Sequence, residues 1–443
     1  MNKKTSPFIF VFAWGFWSAS IATLHSQAYA WSTIAGLANQ SGYTDGTNGG
    51  ARFALPWAVS VDVAGNLYVT DIYNYAVRKV TPVGTNWVVS TIAGGSQGSS
   101  DGTNTNAQFH DLEYIAVDSA TNLYVPDNST IRKITAVGTN WVVTTVVGLA
   151  GFQDSVDGTN SDARFLDPEG VTVDAAGNLY VTDPSGYVRK VAPIGTNWVV
   201  TTLAGTAGVR GSSDGTNGDA SFFGPEGLAV DGAGNLYVAD TSNNEIRKVM
   251  PVGTNWVVST LAGLAGIFDR SGADGTNSAA RFLNPYSISV DGAGILYVAD
   301  TSDHTIRKII PIGTNWVVST LGGLAGQFGS VDGTGSNARF LSPNGITIDT
   351  TGNIYVADYS AFVIRKGTPL SVAAPILKVV FSIDHMVLSW PLAATGFMLE
   401  TSSALVAGTV WIALTNRVWT NDNRFVLTNS PTSTNAFYRL RKN

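Results

Sequence analysis

The sequence repeats itself, and this repetition constrains the fold more than any other feature. A stretch that begins with tryptophan and reads WVVSTIAG at residues 87–94 occurs in six variants along the chain. A longer block, clearest as GLAVDGAGNLYVADTSNNEIRKV at residues 227–249, also occurs six times. The tryptophans that begin the shorter stretch lie 54 to 60 residues apart: Trp31, Trp87, Trp141, Trp198, Trp256 and Trp316. A period of this length predicts an array of similar structural units.

Each repeat predicts four short strands. In the long block, LAVD, NLYVAD and EIRKV are rich in β-branched and aromatic residues and are separated by polar turns, which is typical of antiparallel hairpins. The tryptophan stretch supplies the fourth strand. Four strands in each of six repeats favour an all-β fold, a six-bladed β-propeller with one sheet per blade. A β-solenoid is the alternative, although it favours shorter coils.

The two kinds of stretch are offset by one along the chain. The first tryptophan stretch, residues 31–36, has no long block before it, and the last long block, at 346–366, has no tryptophan stretch after it. In a ring these two leftover segments meet. We therefore predict that residues 31–36 form the outer strand of blade six, which closes the propeller and avoids an unpaired sheet edge.

The long block resembles the NHL repeat. Its pattern P-x-G-[IVL]-x-V-D-x-x-G-N-L-Y-V-A-D, followed by IRK, is similar to that family, and the AG…DG…A-x-F…P segments resemble the bridging loops of its secreted bacterial members. The resemblance covers residues 31–367 and implies a propeller. It does not fix a function, because the family includes sensors, scaffolds, binding modules and some lyases.

Both ends of the chain differ from the repeats. Residues 1–30 have the pattern of a signal peptide, with Lys3 and Lys4, an apolar run and a small-x-small site; an uncleaved membrane anchor is the alternative. Residues 368–375 read as a linker, and residues 376–443 as a small β-sandwich similar to fibronectin-type modules, with Trp390 and Trp411 as core anchors. We expect a secreted, periplasmic or cell-surface protein with no membrane span after signal cleavage.

Composition excludes several classes of function. The net charge is −6, and twelve of the 26 basic residues belong to six copies of one Arg-Lys pair, so we expect no nucleic-acid partner. The chain has no cysteine, which excludes disulfides and thiolate metal sites.

Residues that occur in every repeat are interpreted as structural. The aspartates of the DG bridging loops predict turns rather than calcium loops, which need several regularly spaced oxygen ligands. The repeated arginines, from Arg78 to Arg365, are expected to pair with aspartates between blades. Residues that break the pattern are candidates for a binding site.

The pattern breaks at the start of the innermost strand, at one mouth of the predicted channel. The candidate ligand-binding residues are Trp57, Glu113, Glu169, Glu226, Tyr286 and Asn344, together with His304 from a turn on the same face. Carboxylates that face aromatic rings suit sugars, cationic groups or a divalent ion. Rim residues exposed to solvent are the alternative interpretation.

These residues predict a non-catalytic binding or scaffold module for a protein, peptide or glycan ligand, with no cofactor. The alternative is a metal-dependent lactonase or lyase at the same mouth. A zinc centre is not expected because His110 and His304 lie on different blades. A calcium site from Glu113, Glu169, Glu226 and Asn344, similar to that of lactonase-type propellers, is possible, and no nucleophile elbow is present.

Overall fold

The structure is a computed structural model in which the described residues are 11–13, 27–370, 377–381, 386–391, 397–402, 412–413, 419–421, 424–429 and 437–442. The chain divides into two compact units. One is Ala28–Pro369, and the other combines Met1–Gln27 with Leu370–Asn443. Each is described by itself below.

The larger unit is a six-bladed β-propeller, as the sequence predicts. Each blade is an antiparallel sheet of five strands rather than the predicted four, because a two-residue strand pairs outside the tryptophan strand. The inner strands are Pro56–Val61, Ala116–Val117, Val171–Val173, Pro225–Val230, Pro285–Val290 and Pro343–Ile348. The second strands are Leu67–Asp71, Leu123–Asp127, Leu179–Asp183, Leu236–Asp240, Leu296–Asp300 and Ile354–Asp358.

The outer half of each blade follows the same order. The third strands are Ala76–Val83, Thr130–Val137, Tyr187–Ile194, Glu245–Val252, Thr305–Ile312 and Val363–Pro369. The fourth, tryptophan-bearing strands are Asn86–Gly94, Asn140–Gly148, Asn197–Gly205, Asn255–Gly263, Asn315–Gly322 and, for blade six, Tyr29–Gly36. The outermost strands are Gly46–Thr47, Gly102–Thr103, Gly158–Thr159, Gly215–Thr216, Gly275–Thr276 and Gly333–Thr334.

Helical structure in this unit is limited to three-residue 3-10 helices. One set follows the outermost strands: Asn48–Gly50, Asn104–Asn106, Asn160–Asp162, Asn217–Asp219, Asn277–Ala279 and Gly335–Asn337. A second set follows the second strands: Ile72–Asn74, Thr241–Asn243, Thr301–Asp303 and Tyr359–Ala361.

The chain's first tryptophan strand closes the ring, which confirms the prediction from the offset repeats. Tyr29–Gly36 pairs with Val363–Pro369 on one side and with Gly333–Thr334 on the other. Trp31 is buried, and its indole packs edge-on against Phe340 at 5.1 Å. The strand begins two residues earlier than predicted, so cleavage directly before Trp31 would remove Tyr29, which is also buried.

Neighbouring blades pack through aromatic pairs. Tyr68 of blade one meets Trp141 of blade two, with ring centroids 5.9 Å apart. Four further pairs between neighbouring blades have the same edge-on geometry: Tyr124–Trp198, Tyr180–Trp256, Tyr237–Trp316 and Tyr355–Trp87. Such pairs add about 0.5–1.5 kcal/mol each beyond the burial of apolar area, which explains why the tryptophans recur.

A buried arginine holds each blade together. In blade one, the Nη1 atom of Arg78 lies 2.7 Å from Asp71, and its Nη2 atom lies 2.8 Å from Asp45. The predicted pairing between blades is therefore wrong. Arg78 is in register with Val69 of the adjacent strand, so Asp71, two residues further on, shares its face of the sheet.

The same arrangement recurs around the ring. The arginine pairs with the equivalent two aspartates of its own blade at Arg132, Arg247, Arg307 and Arg365. In blade three Arg189 binds Asp157, while Asp183 accepts a 2.7 Å hydrogen bond from the Tyr187 hydroxyl. The bridging-loop aspartates thus form ion pairs with the arginine of their own blade.

In the part of the smaller unit that the structure describes, there are two four-stranded sheets. One comprises Lys378–Phe381, Met386–Pro391, Arg424–Asn429 and Trp419–Asn421, and the other Val11–Ala13, Phe437–Lys442, Phe397–Ser402 and Ile412–Ala413. Leu388 and Trp390 of the first sheet share one apolar cluster with Leu399 and Leu440 of the second. Trp390 is buried as predicted; Trp411 lies outside the described residues, and the likeness to fibronectin-type modules stays a prediction.

Among the residues that the structure describes, no helix is both long and apolar enough to cross a lipid bilayer.

Candidate functional site

Three glutamates meet at one mouth of the central channel. Glu113, Glu169 and Glu226 come from blades two, three and four, and each offers a carboxylate oxygen within 4.8 Å of the others. Each side chain is partly buried. Its Oε2 atom is shielded from solvent and has no hydrogen-bond partner in the structure.

Threonine hydroxyls of the second strands fix the backbone at the glutamates. The Thr70 hydroxyl donates to the carbonyl oxygen of Glu113 at 2.8 Å, and the Thr182 hydroxyl donates to the carbonyl oxygen of Glu226. Each bond joins one blade to the next. The threonine oxygen also accepts from an inner-strand amide of its own blade, Ala58 or Gly170, at 3.0 Å. The carboxylates are therefore carried by a rigid frame.

The three carboxyl groups of the cluster are crowded, and each has a raised pKa. Burial raises the pKa of Glu113 well above its usual value, and the charges of Glu169, Asp111 and Asp167 raise it further. Burial and neighbouring carboxylates also raise the pKa values of Glu169 and Glu226. Like charges this close disfavour ionisation of all three groups unless a proton or another cation sits among them.

Aromatic rings form the rest of the mouth. The Trp57 indole meets Tyr286 edge-on at 5.8 Å and Tyr359 at 5.0 Å. The aromatic part lies within reach of the glutamate charges: burial, and after it those charges, raise the pKa of Tyr286 to about 12. The indole Nε1 of Trp57 is buried and has no hydrogen-bond partner in the structure.

Asn344 is buried in blade six and contributes to the frame of the site. Its amide nitrogen lies 3.4 Å from the carbonyl oxygen of Trp57, so it links blades six and one.

Tyr114 closes the channel beneath the glutamates, and sequence reasoning missed this residue. Its hydroxyl crosses the channel and donates a 2.6 Å hydrogen bond to the carbonyl oxygen of Tyr286. The ring fits because the equivalent positions of the other blades are small: Ala58, Gly170, Gly227, Ser287 and Gly345. A comparison of the repeats at this position could have found it.

The space on the other side of Tyr114 is a separate cavity. It has a volume of about 130 Å³ and is lined by all six inner strands, from Ala58 to Thr347. None of the three glutamates lines it. Tyr114 therefore borders this cavity, whereas the glutamates do not.

His304 occupies a different environment from the glutamates. Its Nδ1 accepts a 3.2 Å hydrogen bond from the Ser342 amide of the next blade, and its ring meets Phe328 at 5.7 Å. In blade four the equivalent Asn244 makes the same link, accepting from the Asn284 amide at 2.8 Å. Burial lowers the pKa of His304, which suits a neutral acceptor. The geometry explains His304 as a link between blades; its role in ligand binding stays a prediction.

The arrangement can hold a compact cation. Three oxygens within 4.8 Å of one another can all lie within about 2.8 Å of one central point, a distance that admits both an ammonium hydrogen bond and the 2.3–2.6 Å of calcium–oxygen contacts. Three protein oxygens supply fewer than the six to eight ligands that calcium takes, so the remainder would come from water or a bound molecule.

Comparison with protein families agrees with the repeat pattern. A model of the teneurin NHL domain matches residues 36–222, and a model of the NHL repeat matches residues 222–249. The chain contains NHL repeats.

Curated relatives match part of this NHL-repeat protein. Teneurin-3 of Danio rerio is 24% identical in an alignment of 357 residues that covers 72% of this chain and 12% of teneurin-3. Protein SUPPRESSOR OF QUENCHING 1 of Arabidopsis thaliana is 25% identical over 291 residues, or 62% of this chain and 26% of that protein. The chain therefore spans a small part of these relatives.

Solved structures show the same fold. A Bacteroides thetaiotaomicron protein of unknown function has a TM-score of 0.59 at 21% identity, covering 77% of this chain and 76% of that one. A protein described as an auxiliary nutrient binding protein, from the same organism, has a TM-score of 0.56 at 16% identity and covers 77% of each chain.

Proposed function

We propose that this NHL-repeat propeller is an exported, non-catalytic binding module that holds a protein, peptide or glycan ligand at the channel mouth through a positively charged group. The observation that carries the proposal is the cluster of Glu113, Glu169 and Glu226, whose shielded Oε2 atoms have no hydrogen-bond partner among the described residues. Buried acceptors without donors destabilise a fold, so their presence on three successive blades is explained by a ligand that supplies the donors.

The neighbouring rings support the same class of ligand. A cationic group among the glutamates would also lie near Tyr286 and Trp57, and aromatic faces attract cations once water is excluded. The floor formed by Tyr114 limits how deeply a group can enter. A terminal ammonium on a side chain or sugar fits these limits.

The face around the mouth favours a protein or peptide. Four aromatic residues in its turns and loops are 62–71% exposed: Tyr73, Phe152, Phe268 and Phe328. These segments share a face with the mouth, since each fourth strand ends beside the turn after the second strand, as Gly94 does at Tyr75. Exposed apolar groups around a polar centre are common at protein interaction sites.

The test is a peptide array in which lysine, arginine and uncharged residues are varied, read with the purified propeller. We expect retention of lysine-containing peptides, and loss of that signal in the double variant Glu169→Gln/Glu226→Gln. The double variant Asp162→Asn/Asp219→Asn changes charge equally at exposed outer helices and is expected to bind normally. Equal signals from both double variants would remove the mouth as the binding site.

A second candidate is a calcium-dependent hydrolase or lyase at the same mouth. It is favoured by the spacing of the three carboxylates, which can also surround a divalent cation. A gluconolactonase from Xanthomonas campestris shares the fold, with a TM-score of 0.50 at 15% identity over 80% of this chain and 94% of that one; this likeness concerns the fold alone. Elemental analysis of the purified protein, with lactone turnover measured with and without chelator, decides between the two. A stoichiometric ion with chelator-sensitive turnover would replace the first proposal.

A further inference from the structure

The turn after the second strand contains an asparagine in blades one and four. In blade four the Asn243 amide nitrogen donates to Asp240 at 2.9 Å and to the carbonyl oxygen of Gly211 at 2.7 Å. Asn74 makes the equivalent bonds in blade one, at 2.8 and 2.9 Å. The amide thus joins the arginine-bound aspartate to the loop that follows the preceding blade.

Blade five has an acid at this position. Asp303 replaces the asparagine in the otherwise similar sequence DTSDHTIRK. It is fully buried, and neither of its carboxylate oxygens has a hydrogen-bond partner in the structure. The groups that asparagine would join are themselves acceptors, so an ionised Asp303 lacks the donor that the turn requires.

The charged groups around Asp303 do not supply the missing hydrogen-bond donor. Arg307 is already engaged by Asp300, at 2.8 Å, and by Asp274. Asp300 and Asp269 oppose ionisation of Asp303, whereas Arg307 and Arg270 favour it more weakly than burial disfavours it. The adjoining His304 is held neutral by burial and by its bond to Ser342.

We propose that Asp303 is a buried proton-binding site: a neutral carboxyl group there donates the hydrogen bond that asparagine supplies in other blades, and loss of the proton loosens the turn and the loop that covers it. The loop is residues 264–272, which end at Gly272; a β-carbon at Gly272 would lie 3.2 Å from the Asp303 carboxylate. Loosening this region affects the binding face, because the loop carries the exposed Phe268 and the turn leads into His304, which contacts Phe328.

The sign of the pH dependence follows from the burial. Burial first, and then the charge of Asp300, raise the pKa of Asp303 to about 7 in the folded protein. A group whose pKa is higher in the folded than in the unfolded chain stabilises the fold at low pH. Its contribution is complete below the unfolded value and is lost as the pH rises through about 7.

The test compares Asp303→Asn with the wild-type protein by thermal unfolding between pH 5 and 9. We expect the Tm of the variant to exceed that of the wild type by more at pH 9 than at pH 5. Other buried acids titrate in both proteins, so the difference between the two profiles isolates Asp303. Hydrogen exchange of residues 264–272, corrected for intrinsic rate, should increase with pH in the wild type and not in the variant.

The matched control is Asn243→Asp, which creates the same acid in blade four. It is expected to lower the Tm at pH 9 much more than at pH 5. Parallel Tm profiles for the wild type and Asp303→Asn would overturn the proposal. A wild-type Tm at pH 9 that rises by several degrees with added calcium or sodium, and does not in Asp303→Asn, would also overturn it and assign the site to a metal cation.

Discussion

The propeller contains two sets of buried carboxylates with opposite surroundings. Asp240 in blade four is fully buried and accepts from Arg247 at 2.8 Å, from Asn243 at 2.9 Å and from the Phe223 amide at 2.8 Å. Glu226, at the mouth of the same blade, has a shielded oxygen with no partner in the structure. One acid is satisfied by its own blade, and the other is not.

The difference separates residues that hold the propeller together from residues that we expect to bind a ligand. The Asp240 environment recurs in other blades, as expected of a part that every blade needs. The glutamates occupy three successive blades, and the other blades place Trp57, Tyr286 and Asn344 at that position. The comparison predicts that changes at the first set lower stability, whereas changes at the second set alter binding.

The largest effect is expected for Arg247→Met. The substitution keeps much of the apolar volume but leaves Asp240 buried without its charge partner, which typically destabilises a protein by about 3–5 kcal/mol. Urea unfolding followed by tryptophan fluorescence measures the change. Arg210→Met, at an exposed position, should stay within about 0.5 kcal/mol of the wild type. A stable Arg247→Met protein would show that the buried pair contributes little to the ring.

The double variant Glu169→Gln/Glu226→Gln should move stability in the opposite direction. At pH 8 the amides remove repulsion between crowded acids and add donors, so we expect the free energy of unfolding to rise by about 1 kcal/mol. Urea unfolding without added ligand provides the measurement. A loss of several kcal/mol would place the glutamates with the structural acids and end the distinction between the two sets.

Much of the ring could be predicted from the sequence because the same sequence pattern recurs in every blade. The offset of the tryptophan strands identified the closing strand, and the break in the pattern identified the positions of Glu113, Glu169 and Glu226. The partner of Arg78 was predicted incorrectly, although Asp71 lies only seven residues before it, because the sequence does not show whether the aspartates of its own blade or those of the next blade share its face of the sheet. Only the register of the second and third strands decides between them.

Other features depend on distances across the ring, which a sequence does not contain. The bond from Tyr114 to Tyr286 joins residues 172 positions apart. The fifth strands, such as Gly46–Thr47, have two residues each and lack the alternation that predicts a strand. Asp303 differs from Asn243 by a single functional group, and only burial makes that difference important.

The smallest effect is expected for Tyr114→Phe. This variant tests a residue that shares one feature with each of the two sets of carboxylates. Tyr114 breaks the repeat pattern as the glutamates do, but its hydroxyl is satisfied by the Tyr286 carbonyl oxygen, as the structural aspartates are by their partners. If satisfaction of the polar group distinguishes the two sets, the variant should lose about 0.5–1.5 kcal/mol of stability and keep its peptide-array signal. Tyr73→Phe, which removes an exposed hydroxyl, should change neither. If Tyr114→Phe lost the array signal and kept its stability, ligand-binding residues would be distinguished by their departure from the repeat pattern. The lack of a hydrogen-bond partner would then not distinguish them.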